Sequence, residues 1–98
     1  MQTHGQAKAI DSLKIVLKQC KEDSVKVTLL NKLSLEFSNI SLYDTSLIYA
    51  KRAKQIAERI NYKAGIAVSY NNLGNIFYDK GNYPQALQNH LASLKIKE

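Results

Sequence analysis

The chain has 98 residues, of which 45% are hydrophobic and 22% are charged, and its formal net charge is +6. This length is sufficient for one small domain with a modest core, and it is too short for two domains. The sequence excludes a membrane-spanning helix, because no window approaches about 18 uninterrupted apolar residues, and the lone cysteine, Cys20, excludes an internal disulfide.

Composition and local stop signals predict an all-α chain of five antiparallel helices. Only one proline and four glycines are present, which favours helices joined by short connections. Asp23 is placed to cap the second helix, and Asp44 or Thr45 the third. Gly81 is placed to end the fourth helix, and Pro84 falls in the first turn of the fifth. In chain order, the predicted helices cover residues 6–20, 24–40, 44–60, 63–80 and 83–97.

The sequence repeats itself with a period of forty residues. Shifting the chain by that distance aligns seven identical pairs: Asn31 with Asn71, Leu33 with Leu73, Phe37 with Phe77, Tyr43 with Tyr83, Leu47 with Leu87, Ile56 with Ile96, and Glu58 with Glu98. Five of these pairs are apolar or aromatic and recur at helical spacing. The same structural unit is therefore predicted to occur twice, preceded by a helix that imitates the second half of the unit.

Large, small and aromatic side chains recur at fixed positions in both copies. The second copy has Leu73, Gly74, Phe77, Tyr83 and Ala86. The first copy has Leu33, Phe37 and Tyr43, with Ser34 and Ser46 at the two small positions. This pattern resembles a tetratricopeptide repeat, and the resemblance implies a right-handed α-α superhelix. It also implies that Gly74 lets two helices approach closely, and that Phe77 and Tyr83 fill the wedge between them.

The resemblance implies a single domain over residues 1–98. Residues 24–60 and 63–97 would be its two repeats, and residues 6–20 a capping helix or half-repeat. We expect a fragment of a longer protein, because no polar capping helix follows the fifth helix.

The period of forty residues is longer than the usual 34 of this family. It is similar to repeats in bacterial signalling proteins, including the N-terminal sensing regions of histidine kinases and class III adenylate cyclases. The resemblance therefore implies a non-catalytic scaffold that binds a protein or peptide in a bacterial signalling protein. The alternative is a regulatory fragment of an enzyme, a histidine kinase or an adenylate or guanylate cyclase, whose catalytic domain lies outside this chain.

In this family the first helix of each pair lines a groove for an extended peptide or a partner helix. The resemblance places that groove along the second and fourth predicted helices, on Asn31, Leu35, Asn71, Asn75 and Tyr78. Our hypothesis is that the three asparagine amides bind the main chain of a peptide, since an amide both donates and accepts hydrogen bonds, while Tyr78 forms an apolar wall. The alternative is that these are polar residues on a wet helix face. Further expected groove positions are Thr28, Ser38, Asn39, Val68 and Asp79, with Lys32 at the edge.

No pattern in the sequence is typical of a catalytic, metal or cofactor site. The only soft metal ligands are His4, Cys20 and His90, and no two of them share a helical turn, which disfavours zinc. No histidine has a carboxylate at helical spacing, and the glycines are too widely separated for a phosphate-binding loop. We therefore predict no catalytic residue, no cofactor and no metal.

The positive charge is spread along the chain from Lys8 to Lys97. Nucleic-acid-binding surfaces usually cluster their charge, which disfavours such a role. The stripe Lys51, Arg52, Lys54 and Arg59 is interpreted as a solvated outer helix face. Exposure of the last helix predicts a homodimer. No secretion signal precedes the first helix, and either the cytoplasm or a periplasmic sensing position is compatible with a soluble domain of this kind.

Overall fold

A computed structural model describes residues 4–97 of the chain. These residues form five α-helices: α1 (His4–Gln19), α2 (Ser24–Asn39), α3 (Tyr43–Arg59), α4 (Lys63–Asp79) and α5 (Tyr83–Lys97). No strand occurs in the described part, so the all-α prediction is confirmed, and each helix begins and ends within two residues of its predicted position. None of the helices between residues 4 and 97 is both long and apolar enough to cross a membrane. The expected domain bounds, 1 and 98, fall outside the described residues.

The last three connections use the same turn. Ser41, Asn61 and Gly81 have φ values of 63°, 57° and 84°, in the left-handed region. At the first turn, Ser41 N–H donates to the Ser38 carbonyl and Leu42 N–H to the Phe37 carbonyl, and the other two turns repeat both bonds. This is the Schellman arrangement that pairs the free carbonyls at a helix C-terminus. The left-handed residues lie twenty apart, so one period contains two helix-and-turn units.

The N-terminal caps of α2 and α3 were both predicted, and only the cap of α2 is confirmed. Asp23 caps α2 as predicted, because its carboxylate accepts from Val25 N at 3.0 Å and from Lys26 N at 3.2 Å. The prediction of Asp44 or Thr45 as the cap of α3 is wrong. Helix α3 begins directly after Leu42, which makes no side-chain capping bond. The preceding turn already fixes the direction of the chain, so no side-chain cap is required there.

Each helix packs against its neighbours in sequence, and α2 also contacts α4. The core is accordingly divided into three clusters instead of one centre. Their buried members are Ile10, Leu33 and Phe37 between α1 and α2; Val27, Leu30, Ala53, Ile56 and Ala57 between α2 and α3; and Ala50, Leu73 and Ile76 between α3 and α4. Contacts of this nearest-neighbour kind define a stacked helical repeat.

Most of the residues that were expected to pack the repeats together are buried. Leu33, Phe37, Leu73, Gly74 and Ala86 are buried, while Tyr43 and Phe77 are half-buried against the Ala50–Leu73–Ile76 cluster. Tyr83 departs from the expectation. Its side chain is 59% exposed, and its ring lies edge-on to Tyr78 at a centroid distance of 5.1 Å. It does not fill a wedge, because no described element covers that side of α5.

Close approach of α4 and α5 depends on Gly74. A Cβ atom at this position would lie 2.8 Å from the His90 ring, well inside van der Waals contact. In the first repeat, Ser34 corresponds to Gly74 and Ala50 corresponds to His90. There the larger of the two side chains lies on the first helix of the pair. The bulk that α4 lacks at Gly74 is thus supplied by His90 of α5.

Candidate ligand groove

A groove runs between α2 and α4. Its wider part encloses about 330 Å³. A narrower part is continuous with the wider one, since Leu35 and Asn72 line both. The wider part is lined by Val27, Thr28, Asn31, Lys32, Leu35, Tyr62, Gly65, Val68 and Asn72. The narrower part is lined by Ser34, Leu35, Ser38, Asn72, Asn75 and Ile76. From here on, "the groove" means this continuous depression.

Gly65 allows α2 and α4 to meet at the base of the groove. A Cβ atom there would lie 2.7 Å from Cγ1 of Val27 and 2.6 Å from the Tyr62 ring. Val27 is fully buried and has a short, branched side chain with little room to move. Any larger residue at this position would therefore push the two helices apart and change the width of the groove.

Two apolar side chains stand at the groove opening, one from each helix. Leu35 of α2 is 50% exposed and Val68 of α4 is 46% exposed. Both border the wider part. An apolar group placed between them would remove this surface from water, and burying one aliphatic side chain is worth about 1.5–3 kcal/mol.

Asn31 lines the groove, and its side chain also bonds α2 to α4. Its side chain is only 5% exposed, and its Oδ1 accepts from Ser69 Oγ and from Asn72 Nδ2, both at 3.2 Å. Asn72 also donates to the Asn31 carbonyl at 3.2 Å. Because its oxygen is already engaged by α4, Asn31 ties the two helices together at the wall of the groove.

Asn71 and Tyr78 are not among the residues that line the groove. Asn71 Oδ1 is 3.1 Å from Nδ1 of His90, so the asparagine side chain turns toward α5. Tyr78 is 60% exposed and packs edge-on against Tyr83. Asn31 and Asn71 occupy equivalent positions, and this position faces the next helix pair. Helix α4 covers it in the first repeat, whereas no described helix covers it in the second.

Asn31, Leu35 and Asn75 are the three predicted ligand residues that line the groove. Thr28, Ser38, Val68 and Lys32 line it as expected from their helix positions. Sequence reasoning missed Asn72, Tyr62 and Gly65. The available signal for Asn72 was its spacing, since residues 68, 72 and 75 follow one another at intervals of four and three on one helix face.

A second depression, of about 420 Å³, lies away from the groove. It is lined by Glu22, Arg52, Gln55, Ile56 and Arg59. Arg59 forms an ion pair with Glu22. This pair neutralises one of the two cations that line the depression. In the same basic stripe, Lys54 lies 3.9 Å from Glu58 and 5.0 Å from the Tyr70 ring centroid. Two of the four cations of the stripe, Lys54 and Arg59, are thus partnered within the protein.

Metal-binding side chains are scattered. Among the described residues, no three His, Cys, Asp or Glu side chains come together as a cation site. Cys20, just after α1, is half-buried as a free thiol. His90 is packed against Gly74 and Asn71 as described above.

Paired antiparallel helices that stack in sequence, with a groove between the first helices of successive pairs, define an α-helical repeat protein. A family model described as tetratricopeptide repeat matches residues 39–98, which is more than half of the chain. The chain belongs to the tetratricopeptide-repeat family, as the pattern around Gly74 predicted. Searches of curated proteins and of solved structures found no match.

Proposed function

We propose that this chain binds an extended peptide segment of another protein in the groove between α2 and α4. Membership of the tetratricopeptide-repeat family indicates a protein-interaction scaffold, and such domains are generally non-catalytic. The observation that carries the proposal is the pair Leu35 and Val68, two exposed apolar side chains on facing sides of an open groove.

The groove dimensions suit a short extended segment. Thr28 and Ser38 lie near its two ends, and ten residues of helix span about 15 Å. An extended chain advances about 3.3 Å per residue, so four or five peptide residues would occupy the groove. An apolar side chain of the peptide would lie between Leu35 and Val68. Its main chain would then pass Asn75 and Ser38, whose side chains can donate and accept hydrogen bonds.

Charge in the groove favours an acidic group on the ligand. Lys32 is the one charged residue among those that line either part, and its side chain is exposed. An acidic side chain or a terminal carboxylate beside the apolar residue of the peptide would pair with it. The preferred ligand is therefore a peptide in which an aliphatic residue has an acidic neighbour.

The cellular setting is a further part of the proposal. The forty-residue period supports the interaction or sensing region of a bacterial signalling protein. The alternative setting is the regulatory part of a histidine kinase or of an adenylate or guanylate cyclase. In either setting, the output would follow a change in the spacing of α2 and α4 when the groove is occupied. A nucleic-acid role has less support, because the cations are spread along the chain and two of the four in the basic stripe on α3, Lys54 and Arg59, are already partnered.

Peptide selection followed by substitution tests the proposal. A displayed library of random heptapeptides is selected on the chain, and the best peptide is titrated by calorimetry. Leu35→Asp and Val68→Asp should each weaken binding by at least about tenfold, because each removes the apolar contact that one buried side chain provides. Lys32→Ala should weaken binding by a smaller factor and reduce its sensitivity to salt.

Ile48→Asp is the matched control. Ile48 is 65% exposed on α3 and lies outside the groove, so this substitution should leave peptide affinity unchanged. Equal losses in Ile48→Asp and Leu35→Asp would contradict the proposal. So would NMR shift changes confined to residues outside the groove.

A further inference from the structure

The depression that contains two arginines is separate from the groove, although both border the same core cluster. Val27 lines the groove, Ile56 lines the depression, and both belong to the cluster between α2 and α3. We call this depression the arginine pocket. It encloses about 420 Å³ and is lined by Glu22, Arg52, Gln55, Ile56 and Arg59. It shares no residue with the groove, so its ligand is independent of the peptide proposed there.

One face of α3 supplies most of the polar side chains of the arginine pocket. Arg52, Gln55 and Arg59 follow one another at intervals of three and four residues, a spacing that places side chains on the same side of a helix. The base of the pocket is apolar, because Ile56 is only 2% exposed. The two arginines lie about two helical turns apart, with Gln55 between them. A small group placed above Gln55 is therefore within reach of both long side chains.

The side chains of this face are mainly hydrogen-bond donors. Each arginine offers five N–H donors and no acceptor, and the amide of Gln55 adds two more. The planar guanidinium group can form two parallel hydrogen bonds to the oxygens of a phosphate or a carboxylate. The arginine pocket is therefore suited to an anionic group.

Glu22, in the connection between α1 and α2, already places one carboxylate in the pocket. It forms an ion pair with Arg59, and the two side chains are 50% and 60% exposed. Exposed pairs of this kind contribute little stability, so Glu22 can turn away at small cost. Arg52 makes no ion pair within residues 4–97. The pocket thus holds an anion of its own chain on one arginine and leaves the charge of the other available.

The charge of the arginine pocket favours a dianion. A carboxylate, or a phosphodiester of a nucleic acid, carries one negative charge and would balance one arginine. A phosphate monoester carries about −1.5 to −2 at pH 7 and has three acceptor oxygens. We propose that a phosphate monoester binds between Arg52 and Arg59 and displaces Glu22 from the pocket. Its source is either a phosphorylated side chain of a protein or a small phosphorylated metabolite.

NMR titration of the full chain at low ionic strength tests the proposal. The probes are a phosphoserine pentapeptide with alanine at the other positions, the same peptide with serine or glutamate in place of phosphoserine, and glycerol phosphate. The phosphoserine peptide should shift the Nε–Hε signals of Arg52 and Arg59, and the serine peptide should shift neither. The glutamate peptide should bind at least about threefold more weakly, because it carries less charge. Tighter binding of the phosphoserine peptide than of glycerol phosphate supports a protein source, and the reverse order supports a metabolite.

Three substitutions give the proposal a distinctive signature. Arg52→Gln should weaken binding of the phosphoserine peptide by about tenfold, because it removes charge-assisted hydrogen bonds. Lys51→Gln is the matched control: it removes the same charge from the preceding exposed residue, which does not line the pocket, and should change the affinity by less than about twofold. Glu22→Gln should tighten binding by about two- to fivefold, because it removes the competing carboxylate.

The opposite results overturn the proposal. Equal losses in Lys51→Gln and Arg52→Gln would mean that the peptide is attracted by net charge alone. Unchanged or weaker binding in Glu22→Gln would mean that the phosphate does not replace this carboxylate. A glutamate peptide that binds as tightly as the phosphoserine peptide would overturn the assignment of a dianion. The absence of shifts at Arg52 and Arg59 with both phosphorylated probes would overturn the site itself.

Discussion

Ser34 and Ser46 show how buried hydroxyl groups join two helices in the first repeat. Both residues are fully buried. Ser46 Oγ donates to the Ser34 carbonyl at 2.6 Å, and Ser34 Oγ donates to the Ser46 carbonyl at 3.0 Å. Gly74 and Ala86 occupy the equivalent positions in the second repeat and offer no hydroxyl. At this pair of positions the first hairpin is therefore joined by reciprocal hydrogen bonds, whereas the second hairpin has only small side chains there.

Ser46→Ala should lower the free energy of unfolding by about 1 kcal/mol, because it removes one buried hydrogen bond. If Ser46 only kept the contact small, alanine would be neutral or slightly stabilising, as it is the better helix former. Urea denaturation of this variant, compared with Ser12→Ala at an exposed position of α1, distinguishes the two roles. Equal stability of the two variants would contradict a contribution from the hydrogen bond.

Asp44 connects the start of α3 to the end of α4 through Lys80. Lys80 Nζ donates to the Asp44 carboxylate at 2.8 Å. This hydrogen bond, together with the positive charge of Lys80, lowers the pKa of Asp44 below its ordinary value of 3.8. Because the folded pKa is the lower one, the pair stabilises the fold above the ordinary pKa. That contribution is lost as the pH falls below 3.8 and through the folded value.

NMR titration of the Asp44 carboxyl group should therefore give a pKa below 3.8 in the wild type. Lys80→Ala should return the pKa toward that ordinary value. Asp44 is highly exposed, so the accompanying change in stability at neutral pH should be small. An unchanged Asp44 pKa in Lys80→Ala would show that the ion pair does not persist in solution.

The connections between the helices share a geometry but differ in how well their residues suit it. Gly81 adopts its positive φ without steric cost, and asparagine tolerates this region better than most residues. Ser41, at a φ of 63°, is the least suited of the three. The turn between α2 and α3 is therefore the most strained of the repeated connections.

Ser41→Gly should stabilise the protein by about 0.5–1 kcal/mol, because glycine relieves the left-handed conformation. Asn61→Gly should have a smaller effect, and Gly81→Ala should destabilise even though nothing lies within 4 Å of its added Cβ. Thermal unfolding measures the order of the three variants. A loss of stability in Ser41→Gly would mean that the Ser41 side chain stabilises the turn more than its backbone conformation costs.

At the scale of the whole molecule, the fold could be predicted from sequence more completely than the groove. Helix bounds followed from hydrophobic periodicity and stop signals, and the family followed from residues such as Leu73 and Gly74. Asn31 and Asn71 form hydrogen bonds that the sequence did not predict, to Asn72 of α4 and to His90 of α5, because equivalence between repeats gives a position on a helix and not its neighbour. Whether such a residue is buried depends on whether another helix pair covers it. That information lies outside the repeat itself.

The recurrence of the left-handed turn at residues 41, 61 and 81 also limits how a gene for such a molecule can change in length. Each helical residue rotates the following side chains by about 100°, so an arbitrary insertion would misdirect every later helix. Duplicating the stretch between the turns at 41 and 81 would instead return the chain to the same backbone geometry. Growth and loss in this architecture therefore proceed in whole modules, and each added module would create one more groove of the same kind.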